Sequence, residues 1–355
     1  MASMPSLLLL AVFVGSAAVI WIAGIRLSSY TDVLAERLHL GAAIGGVILL
    51  AVATNLPEIA ITVSAAISGT LDVAVGNLLG GIAIQTVVLV ALDAFGVRAR
   101  RPLTYMAASL TLVLEAALVV AVLLVVVAGS QLPATLIFAH LTPGPVLIAA
   151  LWIAGLKLIS GPGSRLPWHE AGEAPDGQHH PRGHARREHE RDASRRGVST
   201  HRAVIVFGVA AVATLVAGVT IEQSGDEFFS RLGLSGVVFG ATVLATATSL
   251  PELSTGLTAA RRGDYKLAMG DIFGGNAFLP VLFLPVTLIS GKAILPQAGS
   301  SDIYLTALGA LLTVVYLVGL IFRPRRRILR MGIDSVVVLA IYLIGIAGLI
   351  ALPSG

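Results

Sequence analysis

Residues 51–81 read AVATNLPEIAITVSAAISGTLDVAVGNLLGG, and residues 245–275 read ATATSLPELSTGLTAARRGDYKLAMGDIFGG. The two stretches align without a gap at an offset of 194 residues and share 13 of 31 positions. The shared positions include Ala-Thr-x-Leu-Pro-Glu, which holds the only Pro-Glu pairs of the chain, and a later Gly-x-x-x-Gly-Gly. Since chance would not place these pairs at matching points, we interpret the stretches as two copies of an internal repeat.

The chain around these repeats has the composition of a membrane protein. Hydrophobic residues make up 56% of its 355 residues and charged residues only 12%, with a mean hydropathy of +0.89. Soluble proteins average roughly a quarter charged residues. Many apolar runs approach the ~20 residues that a helix needs to cross a bilayer, and they lack the alternation of a barrel strand. We predict ten spanning helices, at 5–26, 39–68, 72–95, 103–128, 133–158, 202–222, 234–262, 266–290, 302–322 and 333–352.

One long polar segment divides these spans into two halves. Residues 161–200 are rich in Gly, Pro, His, Arg and Glu, and they form a predicted polar linker that buries too little apolar surface to fold alone. Its five histidines leave a regulatory metal site open as an alternative. The first half, 1–160, contains the first repeat motif at 51–85. The second half, 201–355, contains the second motif at 245–279.

The distribution of basic residues predicts the orientation. With the linker in the cytoplasm, 22 of the 24 Lys and Arg residues lie on the cytoplasmic side, and only Arg231 and Lys292 lie outside. Both termini are then outside a cell inner membrane. Because each half has an odd number of spans, the second half enters from the opposite side. The predicted fold is therefore an all-α polytopic membrane protein of two inverted-topology five-helix repeats.

The repeated motif predicts a cation site inside the membrane. A proline within a span removes a backbone donor and frees carbonyl groups in the preceding turn. The following glutamates, Glu58 and Glu252, are costly in the bilayer unless they are paired, protonated or bound to a cation. Two carboxylates with carbonyl, hydroxyl and amide oxygens favour hard cations such as Ca²⁺ or Na⁺. The neighbouring candidate ligands are Ala51, Thr54, Asn55, Ala245, Thr248 and Ser249.

These motifs resemble those of the calcium/cation antiporter superfamily, the sodium/calcium exchangers and their prokaryotic relatives. The pattern in that family is close to G-T-S-L-P-E, about 17 residues, and then G-N-x-x-G-S-N-x-x-[ND]. The resemblance implies that Glu58 and Glu252 bind calcium with the carbonyls of Thr54 and Thr248. For sodium it implies the same glutamates with neighbouring groups, which are Asn55, Ser249, Ala51 and Ala245.

The chain departs from the family pattern at several positions. Glycines stand at both family serines, Gly81 and Gly275. The other family polar positions hold Asn77, Ile82 and Gln85 in the first repeat and Asp271, Asn276 and Leu279 in the second. Asp271 adds a carboxylate, whereas Asn77, Gln85 and Asn276 suit either ion ligands or hydrogen bonds between helices. These departures favour divalent binding over sodium coordination, and they leave proton coupling or another ion stoichiometry open.

We therefore predict a secondary antiporter that works by alternating access, with sodium/calcium exchange as the main hypothesis. The alternatives are a proton- or potassium-coupled exchanger of calcium, Mg²⁺ or Mn²⁺, a channel, and an intramembrane enzyme. The glutamates lack neighbouring Ser/His partners, which disfavours an enzyme, and no Walker-type motif indicates ATP hydrolysis. The expected partners are inorganic cations and the lipid bilayer, without a cofactor, a nucleic acid or an obligate protein partner.

Overall fold

The computed structural model describes residues 1, 3–37, 49–160, 199–234 and 236–351. The first half contains helices α1 to α7: Ser6–Arg37, Leu49–Thr54, Leu56–Ser68, Leu71–Ala91 (continued by a π turn, Leu92–Gly96), Leu103–Ala107, Leu110–Ser130 and Pro143–Ser160. The second half contains α8 to α12: Thr200–Ser230, Gly236–Phe239 (continued by a π turn, Gly240–Leu244), Ala245–Thr248, Leu250–Arg261 and Tyr265–Phe278. It ends with a 3₁₀ turn (Leu279–Leu282), α13 (Phe283–Ser290), a 3₁₀ turn (Leu295–Gln297), α14 (Ser300–Phe322), the hairpin β1 (Arg327–Ile328) and β2 (Met331–Gly332), and α15 (Ile333–Ala351).

The two halves share one helix plan. Helix α1 begins at Ser6, and its counterpart α8 begins at Thr200, which is the same position after a shift of 194 residues. The third span, 71–96, corresponds in the same way to the eighth, 265–290. Seven described segments are long and apolar enough to cross a membrane by themselves. The other spans are broken by short helices or are shorter, so the predicted all-α, ten-span inverted repeat is confirmed.

The fifth span differs from the sequence prediction. We predicted a helix over 133–158, but the helix begins only at Pro143, and residues 131–142 are irregular with an isolated bridge between Phe138 and Leu141. Proline fits the first turn of a helix but disfavours a helical residue before it. The backbone of Ala139 and His140 also has positive φ, which ends any continuous helix there.

Three other spans have different bounds, and two predictions lie outside the described residues. The first span, predicted to end at residue 26, continues as α1 to Arg37. The predicted helix over 103–128 is divided at Ala108 and Ser109 into α5 and α6. The sixth span continues past residue 222 to Ser230, with Glu222 buried inside it. Residues 39–48 of the predicted second span and residues 161–198 of the predicted linker lie outside the described part of the chain.

Helices α1 and α8 pack along each other. Each also packs against a repeat motif through a glycine, and the two glycines occupy equivalent positions. A methyl group built on Gly24 of α1 would lie 2.5 Å from Cβ of Pro251. One built on Gly218 of α8 would lie 3.2 Å from the carbonyl oxygen of Pro57. Gly24 and Gly218 are separated by the repeat offset. Each long helix therefore contacts the proline beside the glutamate of the opposite repeat, and only a glycine allows this approach.

Candidate cation site

Both copies of the motif form the same broken helix. Asn55 separates α2 from α3 with φ −89° and ψ 15°, and Ser249 separates α10 from α11 with φ −81° and ψ 3°. Each following helix has proline in its first turn, where the missing N–H loses no helical hydrogen bond. Glu58 and Glu252 also lie in these first turns, where the positive end of the helix dipole stabilises a negative charge.

The two carboxylates are buried together between the halves. The side chains of Glu58 and Glu252 are 0% and 2% exposed, and the two carboxyl groups lie close enough to interact electrostatically. Thr248 and Gln85 lie beside the Glu58 carboxylate. Even so, no hydrogen bond of normal geometry from the described residues reaches either oxygen of Glu58 or Glu252. Buried carboxylates without well-formed hydrogen bonds are unstable unless a proton or a cation joins them, so the arrangement fits a cation between them.

The residues at the helix breaks are placed unequally for ligation. Thr54, Asn55, Thr248 and Ser249 are all buried at the two breaks. The Ala245 carbonyl accepts hydrogen bonds from the hydroxyls of Thr248, at 3.2 Å, and Ser249, at 2.7 Å. This carbonyl is therefore already engaged by two hydroxyls in the observed conformation. For Ala51 the structure gives only its backbone position within α2, three residues before Thr54.

A glycine of one repeat and a side chain of the other form each flank of the carboxylate pair. A methyl group on Gly275 would lie 3.2 Å from Nδ2 of Asn55 and 3.4 Å from Oε1 of Gln85. On the symmetry-related flank, a methyl group on Gly81 would lie 3.5 Å from Cδ1 of Leu279. One flank therefore presents the amide of Gln85 to the space beside a glycine, whereas the other presents a leucine. The repeat is symmetric in backbone but not in ligands.

Two further amides are fully buried near the meeting point of the repeats. Asn276 donates from Nδ2 to the Ile82 carbonyl at 3.4 Å and to Oγ1 of Thr86 at 3.1 Å. Its Oδ1 has no hydrogen-bond donor among the described residues, and neither amide atom of Asn77 has a partner there. Asn276 is thus held by its nitrogen with its oxygen available, while Asn77 is available at both atoms.

Asp271 lies to one side of the glutamate pair. Its carboxyl group lies close enough to Glu252 to interact with it electrostatically, and its Oδ2 accepts a hydrogen bond from Oγ1 of Thr255 at 3.4 Å. The side chain is only partly buried. Within the described residues no three acidic or histidine side chains converge as a metal cluster. Asp271 therefore neighbours the site without completing a three-carboxylate cage in this conformation.

Sequence reasoning did not identify Glu222 as a site residue. This glutamate of α8 is 2% exposed and accepts hydrogen bonds from Oγ of Ser64 at 3.3 Å and Oγ1 of Thr70 at 3.4 Å. It joins α8 to the C-terminal half of α3 and to Thr70, the residue directly before α4. An acid inside an apolar span was the available signal, but the predicted end of the sixth span at residue 222 concealed it.

The fold and the paired carboxylates together define a polytopic cation transporter built from inverted repeats. The family model described as sodium/calcium exchanger protein matches residues 8–153 and 202–351. The chain belongs to this family of membrane exchangers. It is 27% identical over 284 residues to the inner membrane protein YrbG of Escherichia coli K12, and the match covers 78% of each chain.

Two solved exchangers share the fold. The sodium-calcium exchanger NCX_Mj, soaked with Na⁺ and Sr²⁺, superposes with a TM-score of 0.60 and 17% sequence identity. That match covers 97% of this chain and 99% of the other. The H⁺/Ca²⁺ exchanger CAX superposes with a TM-score of 0.64 and 15% identity, over 98% of this chain and 82% of the other. At these identities the likeness concerns the fold.

Proposed function

We propose that this chain is a secondary antiporter of the inner membrane that exchanges calcium, or a similar divalent cation, for a monovalent ion. The observation that supports it is the buried pair Glu58 and Glu252 at equivalent helix breaks, whose carboxylate oxygens accept no hydrogen bond of normal geometry from the described residues. Two carboxylates balance one divalent charge, and the neighbouring oxygens complete a hard-ligand set. The names of YrbG and NCX_Mj agree with an inner membrane and with sodium/calcium exchange.

Competition for the same carboxylates would couple the two ions. A divalent ion between Glu58 and Glu252 must leave before monovalent cations or protons neutralise them. An unloaded carboxylate pair would be costly to move through a site closed on both sides, so the site changes its exposure only when loaded. The long helices α1 and α8 contact the prolines beside both glutamates, and their displacement would open one side or the other.

Sodium coupling is the first form of the proposal, and the flanks of the carboxylate pair support it in part. The Gln85 amide beside Gly275 offers an oxygen to a monovalent cation next to Glu58. The opposite flank has only Leu279 beside Gly81. A site with one polar flank would hold fewer monovalent ions than a site with two.

Proton coupling is the second form, and Asp271 favours it. Asp271 lies close enough to Glu252 to interact with it electrostatically. The equivalent position of the first repeat holds an amide, Asn77. A carboxylate can take up and release a proton, whereas an amide cannot. The structural likeness to the H⁺/Ca²⁺ exchanger CAX is compatible with this form.

Calcium uptake into proteoliposomes tests both forms. An outward sodium gradient and an outward proton gradient are imposed separately, with the membrane potential clamped, and Mg²⁺ or Mn²⁺ is added as a competitor. Sodium-driven uptake supports the first form, and uptake driven by protons alone supports the second. Absence of flux of any of the three divalent ions under both gradients, and under a potassium gradient, would contradict divalent antiport.

A further inference from the structure

We propose that the chain binds the headgroup of an anionic phospholipid at an arginine cluster around Tyr105. The cluster lies at the end of the bundle formed by residues 97–102 and 323–332, which the charge distribution predicts to be cytoplasmic. It is separate from the carboxylate site, and the inference does not depend on which ion the chain transports.

Three guanidinium groups surround a single aromatic ring. The Cζ atoms of Arg323, Arg101 and Arg325 lie 4.4, 5.3 and 5.8 Å from the centroid of the Tyr105 ring. Arg323 also donates from Nη2 to the Tyr105 carbonyl at 3.1 Å. The ring face attracts each cation, but the three positive charges repel one another. An anion shared between them removes this repulsion.

A fourth arginine holds the two arginine-bearing loops together. Arg327 donates from Nη1 to the Ala99 carbonyl at 2.6 Å, from Nη2 to the Asp93 carbonyl at 3.1 Å, and to the Arg330 carbonyl. Loop 97–102 and the hairpin are therefore joined by hydrogen bonds to backbone oxygens. Arg101 from one loop is brought to Arg323 and Arg325 from the other, so the cluster is built by the fold.

The acidic side chains of this end of the bundle, Asp93 and Asp334, are buried and accept hydrogen bonds from other groups. Among the described residues, Arg101 and Arg325 form no ion pair with a carboxylate. The Asp93 carboxylate is fully buried and accepts hydrogen bonds from Leu103 N, Gly332 N and Ser335 Oγ. Asp334 is 5% exposed and accepts from Ser335 N. The guanidinium groups of Arg101 and Arg325 thus retain donors for phosphate oxygens, which match the planar geometry of arginine.

Exposed apolar side chains beside the cluster favour a lipid over a soluble phosphate. Phe322 is 78% exposed and Leu329 is 84% exposed, directly before Arg323 and Arg330 in the chain. Leu329 forms the hairpin turn with Arg330, at φ 49° and 72°, a conformation in which bulky residues are uncommon. Apolar side chains interleaved with arginines are typical of segments at the boundary between headgroups and acyl chains.

Lipid titration of the full chain in neutral detergent tests the proposal. Native mass spectrometry measures the lipid-bound fraction with phosphatidylglycerol, phosphatidylcholine and water-soluble glycerol phosphate. The variant R101Q/R325Q removes two of the three guanidinium groups that lie over the Tyr105 ring. The matched control R100Q/R326Q removes one neighbouring charge from each of the same loops, at positions that do not lie over Tyr105. Thermal melting in detergent verifies that both variants are folded.

We expect phosphatidylglycerol to bind more tightly than phosphatidylcholine or glycerol phosphate. R101Q/R325Q should weaken phosphatidylglycerol binding roughly tenfold, because each arginine near a bound anionic headgroup contributes appreciably to affinity. R100Q/R326Q should change it less than about threefold. Equal weakening in both variants, equal binding of phosphatidylcholine, or equally tight binding of glycerol phosphate would overturn the proposal. If a variant fails to fold, the relative affinities of the unmodified chain for the three ligands still test the proposal.

Discussion

Asn276 donates a hydrogen bond from Nδ2 to the carbonyl oxygen of Ile82 over 3.4 Å, and the two residues occupy the same position in the two repeats. Residues separated by the repeat offset touch only where the two halves meet at their pseudo-two-fold axis. The contact places an asymmetry of sequence, Asn against Ile, at that axis. The halves therefore share a backbone plan but contribute different polar groups to the carboxylate site between them.

The two flanks of the carboxylate pair should respond differently to substitution. Gln85→Leu should weaken activation of transport by the coupling monovalent cation about tenfold, because it removes a buried polar ligand while preserving side-chain bulk. Leu279→Gln is the mirror control, and it should not weaken that activation. The check is calcium flux measured against monovalent concentration. Equal effects of the two variants would show that Gln85 is not a ligand.

Asp271→Asn should separate proton coupling from divalent binding. The variant gives the second repeat the residue that the first repeat has at Asn77, so it preserves shape and removes one titrating group. We expect uptake driven by a proton gradient to fall at least about fivefold while calcium binding changes little. The complementary control is Asn77→Asp, which should retain proton-driven uptake. Unchanged proton-driven flux in Asp271→Asn would exclude Asp271 as the coupling acid.

The equivalent glycines of α1 and α8 should tolerate no side chain. Gly24→Ala and Gly218→Ala each place a methyl group against the opposite repeat, and each should destabilise the fold by about 1–3 kcal/mol. The matched control is Gly208→Ala in α8, where nothing lies within 4 Å of the added methyl group. Thermal melting in detergent measures the change in stability. Equal melting temperatures for Gly218→Ala and Gly208→Ala would contradict the contact.

Glu222 should hold α8 to the turn between α3 and α4. Glu222→Ala leaves the hydroxyls of Ser64 and Thr70 without their acceptor, and should destabilise the protein by roughly 1–3 kcal/mol. Ser64→Ala removes only one of the two hydrogen bonds and should have a smaller effect. Chemical or thermal unfolding of the three forms gives the comparison. A stability of Glu222→Ala equal to that of the unmodified chain would refute this role.

Sequence alone predicted the all-α, ten-span inverted plan, and it predicted that the two Pro-Glu pairs lie inside apolar spans. The reason is physical: a Pro-Glu pair within an apolar span is costly, and it occurs at matching points in both halves. The start of α7 at Pro143 was mispredicted because residues 133–142 are apolar enough to resemble a span. Hydropathy cannot detect the positive φ values at Ala139 and His140 that end the helix.

The pairings across the site required coordinates. Gly275 meets Gln85 and Asn55, while Gly81 meets Leu279. In each case the two partners lie in opposite repeats and are far apart in sequence. An alignment of the two motifs compares equivalent positions, such as 81 and 275, but not contacting positions. The roles of Gly24 and Gly218 were hidden for the same reason, since a glycine in an apolar span carries no chemical signal until its neighbour is known.

Calcium binding by the purified chain tests the central claim most directly, which is that Glu58 and Glu252 hold one divalent ion together. Isothermal titration compares the unmodified chain with Glu58→Gln and Glu252→Gln, and with Glu227→Gln as a control at a partly exposed acid that pairs with Arg231. We predict one calcium ion per chain, an affinity at least about 30-fold weaker in each site variant, and little change in the control. Binding by either site variant within threefold of the unmodified chain would contradict the claim.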